Sequence, residues 1–153
     1  PACGAADSSA VKNKIIEYST ESLNFMDQLS ETIKKTNGLA LIIDYGYFQL
    51  PLKSTLQAIK NHQKVNIFKE ENPYDCDLTT LVNFTALEKQ AQKNELQTSL
   101  ITQKEFLTSL GIEEKRQNLI KNSPNEAKNI NLAIDRLISD KEMGELFKCL
   151  IIW

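Results

Sequence analysis

The spacing of apolar and polar positions predicts a helix that is followed directly by a strand. Leu23, Met26, Leu29 and Ile33 recur at intervals of three and four residues, so they share one face of a helix. Ser19 is the expected N-cap of this helix and Asn37-Gly38 is its expected end. The continuous apolar run at 39–43 follows directly. Such a run is typical of a strand buried on both faces of a parallel sheet. Helix, glycine and buried strand together predict an α/β fold.

The rest of the chain shows further strand-like and helix-like segments. Apolar patterning predicts three more strands, at 54–60, 96–100 and 146–153. Capping boxes, in which Ser or Thr precedes Glu by three residues, predict three helix starts, at Thr85, Thr102 and Ser123. We expect residues 15–153 to form one unit. Residues 1–14 have no periodicity and are expected to be a frayed leader or a cut end.

Composition and net charge limit the kinds of molecule that this protein is expected to bind. Of the 153 residues, 41% are hydrophobic and 25% are charged, as in an ordinary globular domain. The net charge of -2 gives no overall attraction to a polyanion, so we predict no nucleic-acid partner. No apolar run approaches the roughly 20 residues of a membrane helix, so we predict no membrane insertion.

The sequence predicts neither a metal site nor a cofactor loop. Three cysteines without a C-x-x-C pair and a single histidine, His62, argue against a zinc site. The acidic segment at 75–79 is similar to the start of a calcium loop, but Thr80 stands where that loop requires glycine. No two of the five glycines lie within six residues of each other, which excludes a glycine-rich phosphate or dinucleotide loop.

Two residues are candidates for chemistry on position alone. Asp44 follows the buried run, and open α/β sheets bind ligands beyond the carboxyl ends of their strands. An aspartate before a glycine also commonly caps a turn, so both interpretations stand. His62 follows the strand predicted at 54–60 and is either a proton carrier or a structural surface residue.

Five segments in the same order resemble the MidA family of methyltransferases, which depend on S-adenosyl-L-methionine (SAM) and whose mitochondrial members help to assemble respiratory complex I. The segments are Ala40-Leu-Ile-Ile-Asp-Tyr-Gly-Tyr47, Thr55-Leu-Gln-Ala-Ile-Lys-Asn-His62, Asp77-Leu-Thr-Thr-Leu-Val-Asn-Phe84, Thr102-Gln-Lys-Glu-Phe-Leu-Thr-Ser-Leu-Gly-Ile112 and Met143-Gly-Glu-Leu-Phe-Lys148. The resemblance implies the C-terminal portion of a Rossmann-like class I methyltransferase sheet with flanking helices.

The resemblance also implies an activity and its partners. It implies methyl transfer from SAM to a nitrogen of a protein arginine, with the SAM loop in an N-terminal half upstream of these segments. We therefore expect a protein substrate, the N-terminal half as a partner, and neither SAM binding nor activity by this chain alone. A truncated sheet leaves a strand edge unpaired, so self-association is expected. The implied location is the bacterial cytoplasm or the mitochondrial matrix. The alternative is a non-catalytic relic or interaction module that retains the fold.

The matching segments imply candidate site residues. The implied catalytic residues are Asp44, His62 and Asp77, and the implied substrate-binding residues are Tyr45, Gly46, Thr79 and Asn83. Two positions depart from the family pattern, with Leu81 in place of a histidine and Asn83 in place of an aspartate. Asparagine keeps the shape of aspartate but can neither act as a base nor carry charge. Where the family uses that aspartate as a base or to hold the guanidinium, this chain lacks it.

Overall fold

The computed structural model describes residues 17–70 and 72–153. These residues form two compact units. The larger unit combines Ser19–Phe48 with Val82–Trp153, and the smaller unit combines Gln49–Leu81 with the described residues before Ser19. The sequence did not indicate this division of the chain. The leader expected at 1–14 lies outside the described residues.

The larger unit contains a four-stranded mixed sheet. Its strands are β1 (Ala40–Tyr47), β5 (Val82–Asn83), β6 (Thr98–Thr102) and β7 (Phe147–Ile152). They lie in the order β5-β1-β7-β6, with β1 parallel to β5 and β7 antiparallel to both β1 and β6. The α/β class is confirmed. The expectation of a parallel sheet is wrong for the two antiparallel pairings, because β7 runs against its neighbours.

Six α-helices accompany this sheet in the described part of the larger unit. They are α1 (Thr20–Thr36), α2 (Phe84–Lys93), α3 (Gln103–Ser109), α4 (Ile112–Asn122), α5 (Ala127–Ile138) and α6 (Met143–Leu146). The predicted ends of α1 are confirmed, since the Ser19 hydroxyl accepts from the Ser22 N–H and Asn37 adopts a left-handed conformation. The capping box predicted at Thr102 is also present and begins α3.

The other two capping boxes are wrong. The amide oxygen of Asn83 accepts a hydrogen bond from the Ala86 N–H at 3.1 Å and caps α2. The Thr85 hydroxyl instead donates to the Phe48 carbonyl. Ser123 makes no side-chain cap, because a 3-10 turn at Pro124–Glu126 separates it from α5. At α2 a different side chain supplies the cap, whereas at α5 the Glu126 N–H donates to the Ser123 carbonyl within the 3-10 turn and no side chain caps the helix.

The core of the larger unit lies between one face of the sheet and the helices α1 and α2. Its buried members are Met26, Ile33, Phe84, Leu87, Ala91, Leu96, Leu150 and Ile152. Leu23 and Leu29 pack against them, so the predicted apolar face of α1 is confirmed. Ile42 of β1 also packs on this core. Burial of each such side chain contributes about 1.5–3 kcal/mol, so this layer holds α1 and α2 on the sheet.

The expectation that β1 is buried on both faces is wrong. Ala40 and Ile42 face the core, whereas Leu41 and Ile43 remain 43% and 42% exposed. Leu39, just before the strand, is 65% exposed. Successive side chains of a strand point to opposite faces, so one face of β1 is covered and the other is open.

The smaller unit contains a three-stranded antiparallel sheet. Its strands β2 (Gln57–Lys60), β3 (Gln63–Val65) and β4 (Asp77–Thr79) lie in the order β3-β2-β4. The strand predicted at 54–60 is confirmed from Gln57 onward. Asn61 and His62 join β2 to β3 with positive φ angles of 51° and 62°. This geometry is the one that a two-residue hairpin turn requires.

Candidate active site

Asp44 lies in the carboxyl-terminal half of β1 and is exposed. Its Oδ1 accepts a hydrogen bond from the N–H of Tyr45 at 2.7 Å. This bond fixes the carboxylate against its own strand. Among the described residues no donor reaches the other carboxylate oxygen, so Asp44 keeps the capacity to bind a cationic donor from outside the chain.

Tyr45 projects from the opposite face of β1 and is 45% exposed. Its ring packs on Phe147 of β7, with centroids 4.0 Å apart and planes tilted by 38°. Such tilted pairs contribute about 0.5–1.5 kcal/mol beyond the area that they bury. The contact orients the Tyr45 ring while leaving much of it accessible.

Gly46 is buried where β1 comes closest to β5 and α2. A Cβ at this position would lie 2.4 Å from the Phe84 ring and 2.5 Å from the Val82 carbonyl oxygen. This is closer than any side chain tolerates, so the glycine allows the two elements to approach. The observed contact is therefore structural, and the substrate-binding role of Gly46 stays a prediction.

Asn83 stands at the end of β5, beside the carboxyl end of β1. It pairs in register with Tyr47, and its side chain is half-buried as the cap of α2. Its amide oxygen is engaged by the Ala86 N–H, so this oxygen serves the helix start. Aspartate could make the same bond, which means that the departure from the family pattern preserves the cap while removing a charge.

Lys148 is a charged residue at this end of the sheet that was not among the candidates. It pairs in register with Asp44 and is only 8% exposed. Its Nζ donates to the Glu145 carbonyl and lies 4.9 Å from the centroid of the Phe48 ring. Burial lowers the pKa of the Lys148 ammonium, although Glu145 and Glu105 act to raise it. The sequence signal that could have identified Lys148 is a lysine within the apolar run of the last strand.

The other candidates belong to the smaller unit. His62 is exposed in the β2–β3 turn, where it has a positive φ, and both interpretations of this residue stay predictions. Asp77 and Thr79 are exposed on β4, opposite Ile59 and Gln57 in register. The chain thus brings His62, Asp77 and Thr79 into one small sheet, and it brings Asp44, Tyr45, Gly46 and Asn83 into the other.

Glu17 forms a second polar cluster in the smaller unit, which sequence reasoning missed. Its carboxylate accepts from the Thr55 N–H at 2.6 Å, the Ser54 hydroxyl at 2.8 Å and the Leu56 N–H at 3.2 Å, and also from the Thr55 hydroxyl. Burial acts to raise the pKa of Glu17, but these hydrogen bonds together hold it below its usual value. The bonds fix the segment that enters β2, and nothing in the sequence pattern signals a pairing across this distance.

Residues 17–70 and 72–153 contain no group of three or more His, Cys, Asp or Glu side chains arranged to hold a metal ion. They also contain no helix with the length and hydropathy of a membrane span.

Comparison with known families identifies the chain. The model of a family described as "Putative S-adenosyl-L-methionine-dependent methyltransferase" matches residues 3–102, well over half of the sequence. The chain belongs to this family. The match includes β1 and β5 with Asp44, Tyr45, Gly46 and Asn83, together with all of the smaller unit. The resemblance to SAM-dependent methyltransferases of the MidA type is thereby confirmed.

Relatives of this methyltransferase family member carry more specific names. The chain is 32% identical over 134 residues to "Protein arginine methyltransferase NDUFAF7, mitochondrial" from Danio rerio, which covers 87% of this chain and 31% of the relative. The protein of the same name from Homo sapiens is 30% identical over 80% of this chain and 27% of its own length. The chain therefore spans about a third of the length of the curated relatives that it matches.

Two crystal structures from Burkholderia thailandensis share the fold. One has a TM-score of 0.74 at 22% identity, with 88% of this chain and 37% of the other covered. The second, a complex with S-adenosyl-homocysteine, has a TM-score of 0.62 at 24% identity, with 82% and 35% covered. At these identities the likeness establishes the α/β methyltransferase fold of the matched part.

Proposed function

We propose that this chain is the C-terminal part of a SAM-dependent protein arginine methyltransferase and supplies the acceptor side of its cleft. The observation that carries this proposal is the exposed carboxylate of Asp44 in the carboxyl-terminal half of a central strand. Ligands of open α/β sheets bind at this end of the strands. The names of the relatives supply the arginine substrate and the mitochondrial location as the corresponding proposals.

The chemistry of Asp44 suits an arginine side chain. A carboxylate binds guanidinium through short, charge-assisted hydrogen bonds that fix both position and orientation. The bond from the Tyr45 N–H holds one carboxylate oxygen in place, and the other is available to the substrate. A fixed carboxylate beside the attacking nitrogen also provides an acceptor for the proton that the nitrogen must lose. We assign Asp44 this binding and proton-accepting role.

The remaining candidates keep their proposed roles. His62 and Asp77 are proposed as further catalytic groups, and Tyr45, Gly46, Thr79 and Asn83 as substrate-binding ones. An exposed tyrosine ring provides a flat surface on which a guanidinium stacks, which supports the assignment of Tyr45.

The residues present do not fit SAM. The scattered glycines form no loop that brings backbone close to the cofactor, and β1 offers one wall where cofactor sites enclose about 70–90% of a ligand. We therefore propose that an N-terminal part of the enzyme holds SAM and that this chain alone is inactive. No transfer step is assigned to this chain.

Methylation by a reconstituted enzyme tests the proposal. The full chain would be co-expressed with the N-terminal part of the Danio rerio relative, up to its matched segment, and incubated with radiolabelled SAM and mitochondrial protein. We expect label on arginine, and a loss of at least about 100-fold in the methylation rate with Asp44→Asn, since a positioned acid or base typically contributes about 10²–10⁴-fold. Glu95→Gln is the matched control, because Glu95 is an exposed carboxylate paired only with Lys34. Equal rates for Asp44→Asn and the unaltered chain would contradict the proposal.

A specific observation favours the alternative, a non-catalytic interaction module. Asn83 cannot act as a base, and its amide oxygen is committed to the cap of α2. If a complex with the N-terminal part forms but transfers no label, the chain retains the fold and a binding role without the chemistry. If Asn83→Asp then gains methylation, the missing charge at residue 83 is the reason.

A further inference from the structure

We infer that Lys148 is a positioning residue of the candidate active site, and that its ammonium fixes the carboxyl end of β1, where Asp44 lies. The inference rests on the proposed function, in which Asp44 binds the guanidinium of the substrate. It adds to that function a residue on a different strand, which acts through β1 and does not itself touch the substrate.

A lysine is an unusual residue at this position of β7. Residues 148, 150 and 152 alternate along the strand and therefore share the face of the sheet that packs on the core. Leu150 and Ile152 are fully buried, and Lys148 is only 8% exposed. Removing an ammonium from water costs free energy, whereas burying an apolar side chain contributes it. Stability alone thus favours an apolar residue at position 148, and the lysine indicates a further role.

The Lys148 side chain extends past the point at which β1 and β7 separate. Lys148 lies opposite Asp44, and the pairing of the two strands ends one residue pair further on. The Lys148 Nζ donates to the Glu145 carbonyl and lies 4.9 Å from the centroid of the Phe48 ring. An ammonium within about 6 Å of a ring centroid is attracted to the face of the ring. The side chain thus connects β7 and the end of α6 to the first residue after β1.

Phe48 anchors the carboxyl end of β1. Its carbonyl accepts a hydrogen bond from the Thr85 hydroxyl of α2, and its side chain packs against the core. In the part of the chain that the structure describes, the only strand that pairs with β1 beyond Tyr45 is β5, which is two residues long. The Lys148 ammonium adds a contact from the β7 side. Without this contact the segment that carries Asp44 is held less firmly, and a misplacement of about 1 Å can cost about 100-fold in rate.

Methylation kinetics with matched variants test the role of Lys148. The enzyme reconstituted with the N-terminal part of the Danio rerio relative would carry Lys148→Met, which keeps an apolar stem and removes the charge, or Lys148→Arg, which keeps a cation for the Phe48 ring. We expect Lys148→Met to lower the methylation rate at least about tenfold. Lys148→Arg should restore most of the rate. Lys34→Met is the control and should leave the rate unchanged, because Lys34 is an exposed lysine of α1 that pairs with Glu95.

A double variant separates positioning of Asp44 from a general loss of structure. Residues that act as one unit have effects on the rate that do not add. Once Asp44→Asn is present, Lys148→Met should therefore cost less than about twofold in the methylation rate. A further loss as large as the loss in the unaltered enzyme would overturn the inference. Equal rates for Lys148→Met and the unaltered enzyme would overturn it as well.

Hydrogen exchange of the full chain alone gives an answer that does not depend on methyl transfer. We expect the amides at 45–48 to exchange at least about tenfold faster in Lys148→Met, with the amides of α4 and α5 unchanged. Phe48→Leu, which removes the ring and keeps an apolar side chain, should give the same local change and serves as the test if Lys148→Met does not fold. Uniformly faster exchange, or no change at 45–48, would overturn the inference. If the local change occurs but the reconstituted enzyme transfers no label, the proposed function alone has failed.

Discussion

Gly46 determines how closely β1 approaches β5 and α2. Alanine there would place its methyl group against the Phe84 ring and the Val82 carbonyl. We expect Gly46→Ala to lower the free energy of unfolding by about 1–3 kcal/mol, the usual cost of overpacking, as measured by urea denaturation. Gly38→Ala is the control, since the nearest atom to its added carbon is the hydroxyl end of the exposed Thr36 side chain. Equal losses at both glycines would show that the close approach is not the cause.

At the scale of elements, the start of α2 could be capped by either of two side chains, Asn83 or Thr85. Asn83, and not Thr85, provides the side-chain acceptor for the helix start. We expect Asn83→Ala to lower the free energy of unfolding by about 1 kcal/mol, because it removes that acceptor. Asn83→Asp should keep the cap and add a favourable charge at the helix N-terminus. Urea denaturation of the two variants checks this, and an Asn83→Ala protein as stable as the unaltered chain would rule it out.

A polar contact between α1 and α2 makes the free energy of unfolding depend on pH in the acid range. Asp27 of α1 accepts hydrogen bonds from the side-chain amides of Gln90 at 2.6 Å and Asn94 at 2.7 Å. Neither of these two residues belongs to the hydrophobic core. These bonds, that from Asn94 first, lower the pKa of Asp27 below its usual 3.8. A carboxyl with a depressed pKa contributes stability that is present above the unfolded value and lost as pH falls through the folded one.

We therefore expect the free energy of unfolding to decline below pH 3.8 and part of that decline to vanish in Asp27→Asn. Urea denaturation across the acid range measures both slopes. Other carboxyls with a lowered pKa, such as Glu17 and Glu105, are present in both proteins. The difference between the two acid slopes therefore reports Asp27 alone. Identical acid slopes for the variant and the unaltered chain would refute the role of this contact.

Much of the element order could be predicted because its signals are local. The caps at Ser19 and Thr102 use partners three residues away, and both predictions are confirmed. Thr85 offered an equally good motif, but Asn83 competed for the same helix start. The exposure of the outer face of β1 could not be predicted, because the local pattern does not show whether a distant part of the chain covers that face. The bonds that Glu17 accepts are equally invisible, because they join distant positions.

At the scale of the whole molecule, the proposal that this chain is the C-terminal part of a methyltransferase accounts for the incomplete cover of the sheet in the larger unit. One face of its sheet packs on the core, whereas the other face of β1 exposes apolar side chains, and within residues 17–70 and 72–153 no strand pairs with one edge of β1 at 40–45. The chain matches about a third of the length of its relatives, and its glycines form no cofactor loop. A sheet with one finished face and one acceptor residue, Asp44, is what a C-terminal methyltransferase part would supply. The candidate site is correspondingly partial.

Calorimetry with SAM tests this account most directly. We propose that the isolated chain offers the cofactor only one wall, so titration with millimolar SAM should give no saturable heat. Adding the N-terminal part of a relative, which we propose holds SAM, should give saturable heat. A dissociation constant of about 1 μM for the isolated chain, equivalent to about -8 kcal/mol, would contradict the account, because it would require a complete SAM site within these 153 residues.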